Sequence, residues 1–375
     1  MKITTWNIEH FSSVISSGGS GAVRLPHIVR EIREIDPDVL CISECTPDLA
    51  ALREFCRGAL GGDYVVPVIE GTDEALAAQP DDPRKALAKL YKMQGNGTTG
   101  AQWIWFLVKS RLAEGAHLLD PRIFDAFARE RFMDADDRER DDGKWAVYEW
   151  GKTVKHFHGH WRHPQTLILP DIDGKRVEII GAHLKSKLNT YAQRNDPFVD
   201  EAAGELRPEF VDEAVNDRIQ LTTEAVHIRN YIDAMFEKEP EPAIIVLGDL
   251  NDGPGKELLE RRFLFFDLIS NIQGDVFFAR RFLNHALFDF SEELRWSYFL
   301  DGDDPIDPER DPRILLDHIL FTQRLVDDGQ FPRFDAGSGL VEHAIHDRIN
   351  ATLPKRQRTS DHKPVSAVLT RRANV

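Results

Sequence analysis

Short, strongly apolar runs recur along the whole chain, and they restrict its fold more than any other feature. Each run has the length of a buried strand, and stretches with helical periodicity lie between several of them. The predicted helices are Leu25–Ile35, Pro47–Arg57 with Thr46 as its N-cap, and Ala214–Phe236. The predicted strands are Lys2–Trp6, Val39–Ser43, Tyr64–Ile69, Trp103–Val108, Thr166–Leu169, Val177–Ala182, Ala243–Gly248, Ile314–Phe321 and Val365–Leu369.

This alternation of strands and helices predicts a layered α/β fold. The chain has 375 residues, and no linker rich in proline, glycine or serine divides it. The sequence also shows no internal repeat and no low-complexity segment. We therefore expect a single domain over residues 1–375, with loop insertions near 71–98, 112–150, 187–212 and 322–358.

The formal net charge of −16 at first argues against a polyanionic partner. Most of that charge, however, lies in three acidic segments, at residues 134–142, 196–213 and 301–311. The rest of the chain is close to neutral, and a local field matters more to a phosphate group than the overall sum. We expect the acidic segments to be exposed loops, because burying so many carboxylates without cations is very unfavourable.

The N-terminal sequence and the cysteines narrow the cellular setting. Residues 1–10 lack the apolar stretch of a secretory signal, and no apolar run approaches the roughly 20 residues that span a bilayer. The cysteines, Cys41, Cys45 and Cys56, are odd in number and are not spaced like paired metal ligands. We expect a buried thiol at Cys41, no disulfide or zinc site, and a soluble, cytoplasmic protein.

Polar residues that can bind metal or phosphate follow the apolar runs. Their local sequences are W-N-I, C-I-S-E-C, G-A-H-L-K-S, V-L-G-D-L-N, L-L-D-H and S-D-H-K-P. A sheet that presents such groups at its strand ends holds them rigidly. The candidate site residues are Asn7, Glu44, His183, Asp249, Asn251, Asp317, Asp361 and His362.

These motifs, in this order from Asn7 to Pro364, resemble the endonuclease/exonuclease/phosphatase superfamily, and G-D-x-N and S-D-H-x-P are the most specific of them. That family includes pancreatic-type deoxyribonuclease, abasic-site endonucleases, neutral sphingomyelinases and inositol-polyphosphate phosphatases. The resemblance implies a four-layered α/β/β/α sandwich, in which two packed mixed β-sheets are flanked by helices. It also implies phosphoester hydrolysis that depends on Mg²⁺ or Mn²⁺.

The resemblance implies a metal site made of oxygen ligands, which hard cations such as Mg²⁺ prefer. Glu44 is the implied principal ligand, and Asp361 is the second carboxylate near the metal. Asn7 offers an amide that can orient the metal, its water or the phosphate. Whether one or two metals bind stays open.

Asp249 and Asn251 are two positions apart, so in an extended segment they face the same way. One can orient the attacking water while the other donates to a phosphate oxygen. The simpler alternative is an ordinary Asp–Asn turn before Gly253 and Pro254. We favour the chemical interpretation, because the strongly apolar run Ile244–Leu247 precedes the motif.

Two histidines are candidates for proton transfer. His362 needs a partner that fixes its tautomer and stabilises its charged form, and the resemblance assigns this role to Asp317. We expect a hydrogen bond between these two side chains, with Asp249 nearby. Either Asp249 or His362 would activate or orient the water. His183 could protonate the leaving oxygen near neutral pH, since its ordinary pKa is about 6.5.

Further basic and polar residues lie close to these motifs in the sequence. Arg162, Lys185 and Ser186 are predicted to contact substrate phosphate, and Lys187 could equally lie in a solvated loop. His156, His158 and His160 would share one face of an extended segment and could then bind zinc. We favour a wall of the substrate cleft or surface histidines.

The leading functional hypothesis is a metal-dependent phosphodiester hydrolase that acts as a nuclease, with nucleic acid as its partner. The first alternative is a small-molecule or lipid-headgroup phosphoesterase, similar to sphingomyelinases or inositol phosphatases, and the acidic segments favour it. A non-catalytic binding scaffold ranks last, because all eight candidate residues are present. No obligate protein partner and no membrane span are expected.

Overall fold

The computed structural model describes residues 1–16, 21–91, 102–121, 123–124, 145–148, 155–158, 160, 162–170, 172, 175–187, 199–200, 205–253, 260, 268–301, 310–326 and 332–370. For residues 145–148, 155–158 and 199–200 it describes the backbone alone. The helices within these residues are α1 (Phe11–Ile15), α2 (Leu25–Ile35), α3 (Leu49–Glu54), α4 (Thr72–Ala78), α5 (Pro83–Leu90), α6 (Pro208–Lys238), α7 (Leu268–Gln273) and α8 (His343–Asn350).

The strands, numbered in chain order, are β1 (Lys2–Asn7), β2 (Val39–Cys45), β3 (Tyr64–Val65), β4 (Trp103–Lys109), β5 (His117–Leu118), β6 (Trp145–Tyr148), β7 (Lys155–His158), β8 (Gln165–Leu169), β9 (Val177–His183), β10 (Val199–Asp200), β11 (Glu205–Leu206), β12 (Ile244–Asp249), β13 (Asn284–His285), β14 (Tyr298–Phe299), β15 (Arg313–Ile314), β16 (Asp317–Phe321), β17 (Arg333–Phe334), β18 (Leu340–Val341) and β19 (Val365–Thr370).

Two large mixed sheets form the centre of the fold. The first sheet has the strand order β17-β19-β1-β2-β4-β3, and β18 also pairs with β19. The second has the order β13-β16-β12-β9-β8-β5. In each sheet the two central strands are parallel, β1 with β2 and β9 with β12, and their outer neighbours β19 and β16 are antiparallel.

The burial pattern of β12 shows how the layers stack. Ile245 and Leu247 pack into the core between the two sheets, whereas Val246 packs into a second core beneath α6 and α7. This two-residue alternation is what a strand buried on both faces requires. The sheets approach most tightly at Gly181, where a Cβ would lie 2.9 Å from Cys41 Sγ and from Phe106 Cζ.

α2 covers the outer face of the first sheet. Its Ile28 and Ile32 pack against that sheet and belong to the same large apolar cluster as Ile245 and Leu247. α8 packs on α2, and its His346 Nδ1 lies 2.8 Å from the buried Glu31 Oε1. With α6 and α7 over the second sheet, the order of layers is helix, sheet, sheet, helix. The predicted four-layered α/β/β/α sandwich is therefore confirmed.

α6 begins at Pro208 and not at the predicted Ala214, so residues 208–213 of the acidic segment 196–213 are helical and the expectation of a loop is wrong there. Three further predicted element boundaries are wrong. α3 is capped by Asp48, whose Oδ1 accepts a hydrogen bond from Ala51 N, and not by Thr46. The strand expected over Tyr64–Ile69 ends at Val65. Pro67, two residues later, has no backbone N–H to donate to a neighbouring strand.

The strand expected over Ile314–Phe321 is the third of these errors, because it is divided into β15 and β16. Ser297 Oγ accepts hydrogen bonds from both Leu316 N and Asp317 N, at 3.1 Å each, and so takes the place of a neighbouring strand. This break determines where β16 begins, and therefore where Asp317 lies.

Other expectations are met in part or fall beyond the description. The cysteines are free and buried, as expected for Cys41. No described helix is both long and apolar enough to cross a membrane. Residues 134–142 and 302–309 lie outside the described residues, although the flanking Asp301 and Asp311 are exposed. The division into one domain with four insertions stays a prediction.

Candidate active site

The candidate side chains meet at one edge of the two sheets. Asn7 ends β1, His183 ends β9 and Asp249 ends β12, while Asp317 begins the antiparallel β16. The register places Asp249 directly opposite both His183 and Asp317. Because parallel strands end at the same edge and an antiparallel neighbour begins there, these groups converge although they are far apart in sequence.

Asp249 is the centre of this cluster. Its Oδ2 accepts a hydrogen bond from Asn7 Nδ2 at 2.8 Å, and it lies 3.4 Å from His183 Nε2 and 3.9 Å from His362 Nε2. Its Oδ1 accepts a hydrogen bond from Asn251 N at 3.0 Å. Asp249 is only 2% exposed, so these neighbours largely determine its protonation and orientation.

Gly248 is needed for β12 to present Asp249 in this way. Its φ is +140°, and a Cβ there would lie 1.8 Å from Ala182 O on the neighbouring strand. Any larger residue would push β12 away from β9. The glycine of G-D-L-N therefore serves the close pairing of the two strands that carry His183 and Asp249.

The expected contact between His362 and Asp317 is present. His362 Nδ1 donates to Asp317 Oδ2 at 2.8 Å, so Nε2 is the nitrogen that faces Asp249. Burial alone would lower the pKa of His362, but the charges of Asp317 and Asp249 raise it to about 10. The ring is therefore an imidazolium at neutral pH, held between two carboxylates.

The two other titratable groups shift for different reasons. Burial raises the pKa of Asp249 to about 6, while His362 acts in the opposite direction. Burial also lowers the pKa of His183 well below its ordinary value, with Arg162 and His362 adding to the effect. This shift favours the neutral ring, and the role of His183 in protonating the leaving oxygen stays a prediction.

Glu44 lies beside this cluster on a distorted part of β2. The pairing of β2 with β4 shifts register between Ile42 and Cys45, and Glu44 has a φ of +55°. Its Oε2 accepts a hydrogen bond from His10 N at 2.9 Å, and its Oε1 lies 3.5 Å from Asn7 Nδ2. Such backbone strain in a non-glycine residue is typical of functional sites, and here it turns the carboxylate toward Asn7.

A divalent cation fits the oxygen groups on this side. Asn7 Oδ1 is buried and has no hydrogen-bond partner among the described residues. Burial lowers the pKa of Arg24, and the charges of the exposed Asp361 and the half-buried Glu44 oppose that effect. Both carboxylates therefore lie close to the Arg24 guanidinium. Carboxylate and amide oxygens with an unpaired lone pair are the donors that Mg²⁺ and Mn²⁺ prefer.

A second possible cluster of metal ligands is formed by Asp249, Asp317 and His362, whose ligand atoms lie within 4.8 Å of one another. We interpret this cluster as a shared-proton network. His362 Nδ1 already donates to Asp317, and the charged ring offers no lone pair to a cation. A metal in that position would have to displace the hydrogen bond from His362 to Asp317 and the contact of the charged ring with Asp249.

Arg162 and Asn251 support the backbone after His183. The buried Arg162 donates from Nε to His183 O at 3.0 Å and from an Nη to Leu184 O at 2.7 Å. Asn251 Nδ2 donates to the same Leu184 O at 2.9 Å. Asn251 has a φ of +53°, so the segment after Asp249 is not extended and that part of the expectation is wrong. The structure therefore gives Arg162 a positioning contact, and its predicted contact with substrate phosphate stays a prediction.

The lysines after His183 are neutralised by acidic side chains. Lys185 Nζ lies 2.9 Å from Asp217 Oδ1 and donates to Ser186 O. Lys187 Nζ forms ion pairs with the buried Asp252 and Glu260, so it is not a solvated loop residue. Contacts of Lys185 and Ser186 with phosphate stay predictions.

The histidine run is only partly described. For His156 and His158 the backbone forms part of β7, and their side chains lie outside the description. His160 is buried, with Nε2 2.6 Å from His227 Nδ1 on α6. The expectation of a surface histidine is therefore wrong for His160, because α6 covers it.

Sequence reasoning missed Arg24 and Ser360. Arg24 donates to Glu9 O and Thr359 O at 2.6 Å and to Arg358 O at 2.8 Å, which joins the loop after β1 to the loop before Asp361. Ser360 Oγ donates to Asn7 O at 2.7 Å. No local pattern marks Arg24, whereas Ser360 belongs to the S-D-H-K-P motif and could have been considered.

The fold and the strand-end cluster place the protein in the class of two-sheet α/β sandwiches that carry a polar site at one sheet edge. Within that class the chain belongs to the Endonuclease/Exonuclease/phosphatase family, whose sequence profile matches residues 4–362. The predicted family is therefore confirmed. Members of this family are hydrolytic phosphoesterases, so the chain is assigned to a family of phosphoesterases and nucleases.

Several solved structures are similar over nearly the whole chain at low identity. The 3′ phosphatase NExo from Neisseria, bound to a product DNA hairpin, is 14% identical, with 99% of each chain covered and a TM-score of 0.48. Truncated TDP2 from Caenorhabditis elegans is 12% identical, with 98% of this chain and 96% of that chain covered and a TM-score of 0.46.

The catalytic domain of human nocturnin, with a bound sulfate anion, is 13% identical, with 99% of this chain and 94% of that chain covered and a TM-score of 0.42. No curated protein matches this chain in sequence. At such low similarity these comparisons do not identify a substrate.

Proposed function

We propose that the protein is a divalent-metal-dependent phosphodiester hydrolase that acts as a nuclease. The observation that carries the proposal is the convergence on Asp249 of Asn7, His183 and His362, with Asp317 behind His362. This arrangement places a carboxylate and an imidazolium within 3.9 Å of each other, beside the carboxylate side chain of Glu44.

In this proposal Glu44 and Asp361 hold Mg²⁺ or Mn²⁺, with Asn7 as a further oxygen ligand. The bound cation would polarise a phosphoryl oxygen and offset charge that develops in the transition state. His362, charged and fixed by Asp317, donates from Nε2 to a phosphoryl oxygen. Asp249 orients the attacking water and accepts its proton, consistent with a pKa raised to about 6. The bond from phosphorus to the leaving oxygen breaks, and that oxygen takes a proton from solvent water.

His183 and Asn251 complete the proposed site. As a neutral imidazole, His183 can donate one hydrogen bond to the substrate or to Asp249 without carrying charge. Asn251 donates one amide N–H to Leu184 O, which ties the loop after β12 to the loop after β9, and its second N–H is the proposed donor to a phosphate oxygen. Arg162 supports the loop after β9 through the carbonyl oxygens of His183 and Leu184.

Nucleic acid is the proposed substrate because a basic turn directly precedes Asp361. Lys355, Arg356 and Arg358 are exposed and lie three to six residues before the proposed metal ligand. Such a turn can contact phosphates that flank the scissile bond. Lys355 is paired with Asp301, but both side chains are highly exposed, so a polyanion could readily displace that weak pair.

A second candidate, hydrolysis of a small phosphodiester or a lipid headgroup, is favoured by the lysines after His183. Lys185 and Lys187 are both paired with carboxylates, so that side of the site offers little net positive charge to a long polyanion.

A cytoplasmic location and the absence of an obligate protein partner also stay predictions.

A panel of substrates tests the proposal. Plasmid DNA, single-stranded DNA, RNA, bis-p-nitrophenyl phosphate, inositol phosphates and sphingomyelin would be assayed with Mg²⁺, with Mn²⁺ and with excess chelator. We expect metal-dependent cleavage with the highest kcat/KM on a nucleic acid. A higher kcat/KM on an inositol phosphate or on sphingomyelin would favour the second candidate, and full activity in chelator would contradict the metal mechanism.

The variant Arg356→Gln/Arg358→Gln separates the two candidates further. If nucleic acid is the substrate, the variant should raise KM for DNA or RNA and should leave hydrolysis of bis-p-nitrophenyl phosphate unchanged. Arg30→Gln, which removes an exposed arginine on α2, is the matched control. An equal effect on both substrates would contradict the role of the basic turn.

A further inference from the structure

A turn between α7 and β13 exposes large apolar side chains to solvent. Residues Val276–Arg281 form a 3-10 turn in which Val276 is 65% exposed, Phe277 91% and Phe278 65%. Scattered single apolar residues are normal on protein surfaces, whereas a contiguous group at a protruding turn indicates a contact surface. The proposed hydrolysis does not use this turn.

The turn is held firmly at its base. Asp275 Oδ1 accepts a hydrogen bond from Phe277 N at 2.9 Å, and Leu283 N donates to Gln273 O at 2.9 Å where the chain leaves the turn. Gln323 Nε2 also donates to Phe282 O at 3.2 Å. Because the backbone is fixed on both sides, the turn presents its apolar side chains with little further backbone ordering on binding.

Two arginines accompany the apolar residues. Arg280 and Arg281 follow Phe278 after one alanine, both are exposed, and neither forms an ion pair within the described part of the chain. Asp275 is the acidic residue of this turn, and its carboxylate is engaged as the cap. The surface is therefore apolar at its tip and positive behind it, in a protein whose formal net charge is −16.

We propose that the turn Val276–Arg281 is a membrane-contact site that inserts its apolar tip among the headgroups of an anionic lipid surface. Stable interfacial binding needs apolar insertion together with basic residues, and this turn has both within six positions. An exposed apolar tip with two arginines behind it suits an anionic lipid surface, where apolar groups insert and cations contact the headgroups.

The position of the turn leaves the candidate active site accessible. β13, which follows the turn, pairs at the C-terminal end of β16, Asn284 with Phe321 and His285 with Leu320. Asp317 lies at the other end of β16. A lipid surface bound there would lie away from the cluster around Asp249. The membrane contact therefore serves to locate the protein at a surface, and it is independent of which phosphodiester the protein hydrolyses.

Co-sedimentation of the full-length protein with vesicles tests this proposal. One set of vesicles contains phosphatidylcholine alone, and the other contains phosphatidylcholine mixed with phosphatidylserine. We expect binding to the mixed vesicles, little binding to the neutral ones, and weaker binding as salt is raised. No binding to the mixed vesicles would overturn the proposal.

Two variants and one matched control identify the surface. Phe277→Ser/Phe278→Ser should weaken binding by at least tenfold, and Arg280→Gln/Arg281→Gln by roughly thirtyfold at low salt. Phe288→Ser removes an isolated phenylalanine that is 79% exposed and should leave binding unchanged. Unchanged melting temperatures would show that each variant is folded.

Other outcomes would overturn the proposal. Equal loss of binding in Phe288→Ser would show that general surface hydrophobicity, and not this turn, drives the association. If sedimentation without vesicles shows a dimer that dissociates in Phe277→Ser/Phe278→Ser, a second copy of the chain covers the turn instead.

Discussion

Asp317 and Asp361 both contribute a carboxylate to the candidate site, but the protein treats them in opposite ways. Asp317 is fully buried and accepts a hydrogen bond from His362 Nδ1 at 2.8 Å. Asp361 is exposed, and its Oδ1 lies 3.3 Å from Ser360 Oγ, whose one hydroxyl proton is donated over a shorter distance to Asn7 O. The site thus has a buried half, around Asp249, and an exposed half, made by Glu44 and Asp361.

The difference shows what each half needs in order to work. In the buried half, the charges of Asp249 and Asp317 are compensated by His362 within the folded chain. In the exposed half, the positive charge nearby is that of Arg24, which is committed to three backbone carbonyl groups. We infer that the buried half is organised by folding alone, whereas the exposed half is completed by a cation.

The largest expected effect is that of Glu44→Gln, which breaks the exposed half. We expect kcat to fall by about a thousandfold, because a metal contribution of several kcal/mol would be lost. The melting temperature without metal should change little, since the backbone strain at Glu44 is the same for glutamine. The measurement is the hydrolysis rate as a function of Mg²⁺ concentration.

Glu54→Gln is the matched control for this change, because Glu54 is an exposed glutamate on α3. It should retain full activity. If Glu44→Gln kept near-normal activity, or if wild-type protein stayed active in excess chelator, the distinction between the two halves would fail.

A smaller loss is expected for Asp317→Asn, which weakens the buried half. Without the carboxylate, kcat should fall by roughly a hundredfold. The reaction needs the charged form of His362, which exists below its pKa and is lost as pH rises through it. Asp317 and Asp249 together raise that pKa to about 10, so removal of the Asp317 charge should shift the alkaline limb of the pH–rate profile toward acid.

This shift distinguishes a catalytic pair from a structural one. The pH–rate profile and the Mg²⁺ affinity would be measured together, and the Mg²⁺ affinity should stay close to wild type. An unchanged profile in Asp317→Asn would instead indicate that Asp317 only holds the loop that carries His362.

The smallest expected effect is that of Arg24→Lys, which loosens the exposed half without removing a ligand. Lysine cannot replace the three hydrogen bonds that the guanidinium donates to Glu9 O, Arg358 O and Thr359 O. We expect about a tenfold loss of activity at low Mg²⁺, because Asp361 is held less firmly. Excess Mg²⁺ should restore the rate, unlike in Asp317→Asn.

Arg33→Lys is a suitable control for Arg24→Lys, since Arg33 also donates to a backbone carbonyl, Ala59 O, on the surface away from the site. It should behave as wild type. A loss in Arg24→Lys that excess Mg²⁺ cannot restore would assign Arg24 to the buried half or to overall stability.

Much of the fold could be read from local patterns. The apolar runs predicted most of the long strands, and Leu25–Ile35 is a helix over the predicted residues. The error at Thr46 is local, because Asp48, two positions later, is also a favoured N-cap residue type. The error at Ile314–Phe321 arises because Ser297, from another segment, takes over the backbone hydrogen bonds of Leu316 and Asp317. Such a substitution has no local signal.

By itself, the sequence determined that Asn7, His183 and Asp249 stand at strand ends, because strand periodicity is a property of neighbouring positions. The place of Asp317 at the start of β16 depends on Ser297 and was decided by the tertiary structure. The tertiary structure decided their charge states and their partners. Asn7 and Asp249 are 242 positions apart, and His362 and Asp317 are 45 apart. Burial and the nearby charges determine a pKa, and both depend on residues that only the folded chain brings together. The lowered pKa of His183 and the contacts of Arg24 therefore have no local sequence signal.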